Sequence, residues 1–289
     1  MKILLATDGS ANANASIELL KNRSFTDALV INVVSVYAAR SHNPFEHQLN
    51  GEKADAALKF TLAQLDNAFK RAKITRELVE GKPSEKLLEI IQSIKPDMVL
   101  IGDNSKPPGA RPTLGKVAQE ILKKCESSIT VVRTDQFGQY KKEKKCLICI
   151  DSTITSTDSW LFRKNEFWPS DCDFLILSVV QPPLEPASEN PHIDAKLFIE
   201  RLEKLNTNML QAIEYQKAFL RGCFPDSSVE GQITESIDVA ETILEIAKSW
   251  QSDLILTNPH QHSRIDKFLV ASVSEDVVKR ASCSVEIVR

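Results

Sequence analysis

The chain has 289 residues, enough for two domains of ordinary size, and 42% of them are apolar, enough for a buried core in each. A formal net charge of -3 argues against the basic face with which proteins neutralise nucleic-acid phosphates. No run approaches the roughly 18 apolar residues of a bilayer span. The first apolar run stops at Asp8, too early for a signal peptide. These features predict a soluble cytoplasmic protein, and its six scattered cysteines suit a reducing compartment better than a disulfide framework.

The short apolar run "KILLAT" predicts a buried strand, followed by a helix over 11–21 and a second strand in "ALVINVVSV", 28–36. Leu58, Leu62, Leu65 and Phe69 recur at helical spacing within 52–71. A strand over 74–80 leads to Gly81. Pro83 then suits the first turn of a helix carrying Leu87, Leu88, Ile90, Ile91 and Ile94, which Pro96 stops. "DMVLIG" (97–102) reads as a fourth strand. A loop rich in Pro and Gly, a helix with Leu114, Val117 and Ile121 on one side, and the strand "SITVVR" (128–133) complete the first half.

The second half repeats this order. "CLICID", a helix near 154–163, "DFLILSVV" (173–180) and a long helix with Phe198, Leu202, Leu205 and Met209 are followed by an extended "SSVEGQI". A helix with Ile243, Ile246 and Ala247, the strand "DLILT" (253–257), a helix with Val273 and Val277, and "SVEIVR" (284–289) close the chain. The openings "MKILLATDGS" and "KKCLICIDST" align Asp8 with Asp151. Asp97 is as far from Asp253 as Arg133 is from Arg289, whereas Asp8 and Asp151 lie closer in sequence. The second copy has therefore gained residues between these points, near its second helix. The expected domains are 1–136 and 146–289, with 137–145 as linker and the "KKEKK" run at 141–145 as a solvated segment.

Continuous apolar strands separated by helices predict parallel sheets covered on both faces, so each half is a doubly wound, Rossmann-like α/β domain. Ligands of such folds bind beyond the carboxyl ends of the strands. Asp8, Val33, Gly102 and the helix start at Gly115 are expected there. Cys146 and Cys149 form a C-x-x-C, but residues three apart in a strand point to opposite faces, which disfavours a shared metal or redox role. His260 and His262 lack an evident third ligand, and no metal is expected.

The stretches "ILLATDGS", "VEGKPSEKLLEII", "DMVLIGD" and "LGKVAQEILKKCESSITVVR" together resemble the universal stress protein family, and "CLICIDST", "SDLILTN" and "ASVSEDVVKRASCSVEIVR" repeat the likeness. The resemblance covers the chain as a tandem of two copies. It implies a five-stranded sheet of order 3-2-1-4-5 in each, with the last strands pairing the copies into an internal pseudo-dimer. Family members that bind ATP or another adenine nucleotide resemble one another in a signature G-x2-G-x9-G followed by Ser or Thr. Glycines there let the backbone approach a polyphosphate at a helix N-terminus. In the first half Gly102 and Gly115 keep the spacing, while Ser105 replaces the second glycine and Lys116 the hydroxyl residue. Pro107, Pro108 and Pro112 remove further N–H donors from the loop. In the second half Thr257 stands for the first glycine, His260 for the second and Ala271 for the third, leaving only Ser272.

The resemblance assigns Asp8 to the ribose and adenine neighbourhood, the backbone near Val33 to the adenine edge, and Gly102, Ser105, Gly115 and Lys116 to the phosphates. Asp8 also has a local role open to it as the cap of a "DGS" turn. Three functions follow as expectations: a stress-response binding or scaffold protein with a degenerate nucleotide site in the first half, an ATP-binding protein with slow hydrolysis, and a protein-interaction module. Hydrolysis requires a placed metal and a group that orients the nucleophile, and the loop offers Asp103 and Lys116 without a base. A homodimer or a protein partner is left open, with no nucleic acid or membrane among the expected partners.

Overall fold

The computed structural model describes the chain except residues 24, 26, 27, 39–43, 104–113, 136, 151–170, 182–190 and 259–272 and the side chains of 44, 191–199, 201, 202 and 204–206. The first half runs β1 (Lys2–Ala6), α1 (Ala11–Lys21), β2 (Val30–Tyr37), α2 (Pro44–Ala68), β3 (Lys73–Glu80), α3 (Pro83–Ile94), β4 (Met98–Gly102), α4 (Lys116–Lys124) and β5 (Ser128–Val132). The second runs β6 (Lys145–Ile150), β7 (Asp173–Val180), α5 (Pro191–Cys223), β8 (Val229–Glu235), α6 (Val239–Ser249), β9 (Leu254–Thr257), α7 (Val273–Arg280) and β10 (Ser284–Ile287). The helix expected near 154–163 lies outside the described residues.

Local chemistry sets these boundaries. Ser10 caps α1 by accepting from Ala13 N at 3.3 Å. Pro83 opens α3, and Lys95, in the left-handed region at φ 46°, ends it before Pro96. Helix α2 starts at Pro44, earlier than the sequence pattern predicts, because Phe45 and Leu49 in its first turns are exposed. Apolar spacing reports only the buried stretch of a helix. The repeated aspartates also act locally. Asp97 accepts from Lys2 N at 2.7 Å and Asp253 from Lys145 N at 3.1 Å, each tying the start of a half's first strand to its fourth.

All ten strands form one sheet of order β3-β2-β1-β4-β5-β10-β9-β6-β7-β8. Each half is a parallel block, and the blocks meet where β5 and β10 pair antiparallel, Val285 opposite Val131, Glu286 opposite Thr130 and Ile287 opposite Ile129. On one face Ile129, Val131, Val285 and Ile287 join a core that runs without a break from Leu4 and Val99 to Leu147 and Ile255. The other face carries two separate cores, one around Ile3, Leu5 and Leu58 and one around Cys146, Phe174 and Leu220. Cys146 and Cys149 fall on opposite faces, as strand alternation requires.

At the seam the second face is polar and closed to solvent. Arg23, just after α1, donates to Glu286 Oε2 at 2.9 Å and lies 3.4 Å from Glu143 Oε1, and Thr130 donates to the same Glu286 oxygen at 3.1 Å. Glu143 is only 1% exposed, which corrects the reading of "KKEKK" as wholly solvated. Lys141 and Lys144 are exposed and Lys142 and Lys145 half-buried, while the glutamate turns in to the arginine. Burial opposes the charge on Arg23, but Glu143 and Glu286 outweigh it and hold its pKa above the ordinary arginine value. Burial dominates at Glu143 and pushes its carboxyl up against the attraction of Arg23, with Glu286 and Asp253 adding repulsion. The nearby Tyr140 hydroxyl is raised by burial and then by the charge of Glu143.

Two outcomes follow from this cluster. Arg23→Ala leaves two buried carboxylates uncompensated and is expected to cost about 3–5 kcal/mol in urea unfolding. A raised carboxyl pKa means that the folded chain holds a proton which the unfolded chain releases. Glu143 therefore lowers stability as pH rises from its ordinary value through its folded one. Paired melts of wild type and Glu143→Gln across that window should show the glutamine protein gaining on wild type as pH rises. Parallel curves would mean that the attraction of Arg23 fully offsets burial and that the Glu143 carboxyl is not raised.

Candidate functional site

The carboxyl ends of β1 and β4 form the site edge. Buried Thr7 receives the Thr61 hydroxyl at 3.2 Å, which seats α2 against the end of β1. Gly9 follows in the left-handed region at φ 78°, and a Cβ there would lie 3.0 Å from the Ala57 Cβ. Asp8 is exposed, and its Oδ1 accepts from Ser10 N at 2.9 Å. The turn-capping role is thus present in the fold, and the exposed carboxylate still faces solvent.

Gly102 ends β4 directly beneath α1. A Cβ on it would sit 2.6 Å from Ala13 N and 2.7 Å from the Asn12 carbonyl carbon, so close helix–strand packing alone requires glycine here. Asn12 locks this contact: its amide donates to Asp103 O at 2.9 Å, and its Oδ1 accepts from Thr134 N at 2.9 Å and the Thr134 hydroxyl at 2.7 Å. One side chain on α1 therefore holds the residues that follow β4 and β5.

Gly115 is the N-cap of α4 and donates its N–H to Asp103 Oδ1 at 3.1 Å. Lys116, the first residue of α4, is exposed. Asp8, Gly102, Gly115 and Lys116 thus share the edge built by β1, β4, α1 and α4. Val33 does not stand at a strand end: it lies in the middle of β2, fully buried, level with Leu5 on β1 and Arg76 on β3. Ser105 lies outside the described residues.

Asp103 and Arg133 are the residues that local sequence reading undervalued. Arg133 Nε donates to Asp103 Oδ2 at 2.8 Å, and the rest of its guanidinium donates to Val278 O and, at 3.2 Å, to Cys283 O of the other half. Its backbone N–H meets Ser284 Oγ at 3.1 Å. Arg289 makes the reciprocal set, donating to Leu122 O at 2.7 Å and to Cys125 O, with its N–H on Ser128 Oγ at 3.1 Å. Each last strand thus sends an arginine to the carbonyls ending the other half's last helix, where a cation also suits the helix dipole. This is the reciprocal contact pattern of an isologous dimer, made within one chain. Its signal in the sequence is the repeated Arg133 and Arg289, whose partners are visible only once the strands pair.

The second half is built differently. Strand register places Asn258, not Thr257, at the position of Gly102, because Thr257 pairs with Ile287 as Ile101 pairs with Val131. Thr257 and Ser274 hydroxyls lie 3.0 Å apart, and Ser274 donates to Asn258 O at 2.8 Å, filling the polar end of β9 internally. A cavity of about 30 Å³ beside it is mostly apolar, lined by Cys149, Leu177, Val179, Ile243, Thr257 and Val273. Burial, then the neighbouring Cys283, pushes the Cys149 thiol up to about 12, and burial does the same to Cys283, which keeps both protonated and unreactive. Among the described residues no cluster of three or more His, Cys, Asp or Glu is arranged to hold a metal ion. His260, Ala271 and Ser272 lie outside them, as does the paired opening residue Asp151.

No helix among the described residues is long and apolar enough to cross a membrane. No curated protein matches the chain. Among solved structures, a universal stress protein from Archaeoglobus fulgidus DSM 4304 is 15% identical, with a TM-score of 0.62 over 100% of this chain and 96% of that one. A protein of unknown function from Pseudomonas aeruginosa PAO1 is 12% identical, with a TM-score of 0.62 over 99% and 92%. A universal stress protein family protein from Arabidopsis thaliana with AMP bound is 17% identical, with a TM-score of 0.33 over 45% and 88%. The full-length likenesses show a shared fold. The model of the universal stress protein family matches twice in succession, over residues 1–133 and 144–289. The chain therefore belongs to the universal stress protein family, as a tandem of two of its domains.

Proposed function

We propose that this tandem protein is a binding or scaffold protein of the stress response, with an altered adenine-nucleotide site in its first domain and none of conventional type in its second. The division is 1–136, a linker at 137–145, and 146–289. The observation that carries the reading is the meeting of Asp8, Gly102, Gly115 and Lys116 at one strand edge, against the absence of glycine at Thr257 and Asn258. In this reading the exposed Asp8 carboxylate receives ribose hydroxyls, while Val33, buried in the middle of β2, is left out of the site. Gly102, Ser105, Gly115 and Lys116 bound the remainder of the ligand.

Binding without turnover is favoured by the state of Asp103. Its two carboxylate oxygens are committed to Gly115 N and Arg133 Nε, so it is poorly placed to orient a metal or a nucleophile. The internal pairing of the domains leaves β3 and β8 as the outer strands of the sheet, the surfaces a second chain or a protein partner would meet in a scaffold role.

Calorimetric titration with adenosine, AMP, ADP and ATP, with and without magnesium, tests the site. One saturable site per chain is expected. Asp8→Ala should weaken it about tenfold, the scale of one hydrogen bond to a charged group. Equal affinity in wild type and variant would remove Asp8 from the site, and the absence of heat with every ligand would leave partner binding as the function. Gly102→Ala should lower stability by about 1–3 kcal/mol in ligand-free protein, since the added methyl meets the α1 backbone. Unchanged stability with lost binding would instead make Gly102 a ligand residue only.

A further inference from the structure

A helix N-terminus attracts an anion because its first N–H groups lack intrahelical partners and its dipole favours negative charge. At α4 the chain already supplies one. Asp103 Oδ1 accepts from the N-cap residue Gly115 at 3.1 Å, while Oδ2 is held by Arg133 Nε at 2.8 Å. Asp103 is 6% exposed and Arg133 8%, so the pair is largely withdrawn from screening water. Arg133 is fixed in turn by Val278 O, Cys283 O and Ser284 Oγ of the second domain. The carboxylate is therefore clamped between the helix that would receive a phosphate and the interface between the domains.

We propose that Asp103 is a built-in substitute for phosphate, which sets the first-domain site toward adenine nucleosides with few or no phosphates and against ATP. The proposal rests on the adenine-nucleotide reading of that site and names its ligand class. A polyphosphate reaching the α4 N-terminus would find the Gly115 N–H and the nearby Arg133 guanidinium both already taken by Asp103, and would have to displace a buried ion pair to use either. This is selectivity by prior occupation of the donors that the wrong ligand would need. It also gives the glycine spacing a purpose that survives the replacement of the signature's second glycine by Ser105 and of its hydroxyl residue by Lys116: Gly102 and Gly115 bring the β4 end and the α4 start close enough for one aspartate to bridge them. At the equivalent position the second domain has Pro259, which carries no carboxylate.

The test compares ATP, adenosine and inorganic tripolyphosphate on wild type, Asp103→Asn and Asp103→Ser by calorimetry. Asparagine keeps the size and one acceptor of aspartate, serine removes both the charge and the bulk, and thermal melts establish that each variant is folded. Wild type should bind ATP no more than about twofold better than adenosine. Folded variants should tighten ATP at least about tenfold, about one RT ln 10, while adenosine stays within about twofold. Tripolyphosphate should likewise bind the variants better than wild type, and both gains should shrink with added salt. A strong preference of wild type for ATP over adenosine overturns the proposal without recourse to any variant, and so does the absence of gain in both variants. Failure of wild type to bind adenosine is a different result: it removes the adenine reading, while the tripolyphosphate gain still reports whether Asp103 occupies an anion position.

Discussion

The structure depends on the antiparallel pairing of β5 with β10. Ile129 and Val131 of one half and Val285 and Ile287 of the other join a single core, which is continuous on that face because the two strands meet. The contacts at this seam are reciprocal: Val131 faces Val285 while Ile129 faces Ile287, and Arg133 and Arg289 cap each other's helices. At the axis the symmetry fails, where Thr130 faces Glu286. A homodimer of the second half would set Glu286 against its own copy, and like charges directly opposite destabilise a strand pair. Covalent linkage lets a neutral hydroxyl stand opposite a single carboxylate, and Arg23 neutralises it. Linkage also makes the pairing intramolecular and raises its effective concentration.

The same seam reaches the candidate site. Arg133 belongs to the interface through Val278 and Cys283 and to the site through Asp103, so the N-terminus of α4 is positioned partly by the other domain. The arrangement is one-sided. Among the described residues Arg289 makes the interface contacts alone, and the sequence has Pro259 at the position equivalent to Asp103. Duplication thus preserved the pairing machinery in both copies while the ends of the strands diverged. In the first copy Asp103 takes the Gly115 N–H, whereas in the second the hydroxyls of Thr257 and Ser274 meet.

Most of the fold was legible in the sequence because the strands are continuous apolar runs and the helices carry buried faces at regular spacing. The parts that escaped are those whose determinants are long-range or solvated. The first turns of α2 carry exposed Phe45 and Leu49 and so give no periodic signal. Glu143 sits in a lysine run that looks wholly solvated, yet its partner Arg23 is distant in sequence. Gly102 fits a ligand-binding glycine equally well until α1 is seen to lie on it. Thr257 lies one residue before the equivalent of Gly102, as the equal spacing of Asp97 from Asp253 and of Arg133 from Arg289 already implies and the pairing of β9 with β10 shows. The places of Asp8, Gly102 and Gly115 at strand and helix ends were legible in the sequence, whereas Asp103 and Arg133 derive their importance from contacts between distant residues.

If the seam is the keystone, the two domains unfold together. Native-state hydrogen exchange at the amides of residues 129–131 and 285–287 measures this directly. Protection there should match that of the central strands β1, β4, β6 and β9, with all of these amides opening only in global unfolding. Exchange of the seam amides through a lower-energy opening, with β1 and β6 still protected, would mean that each half stands alone and that the pairing is an accessory contact.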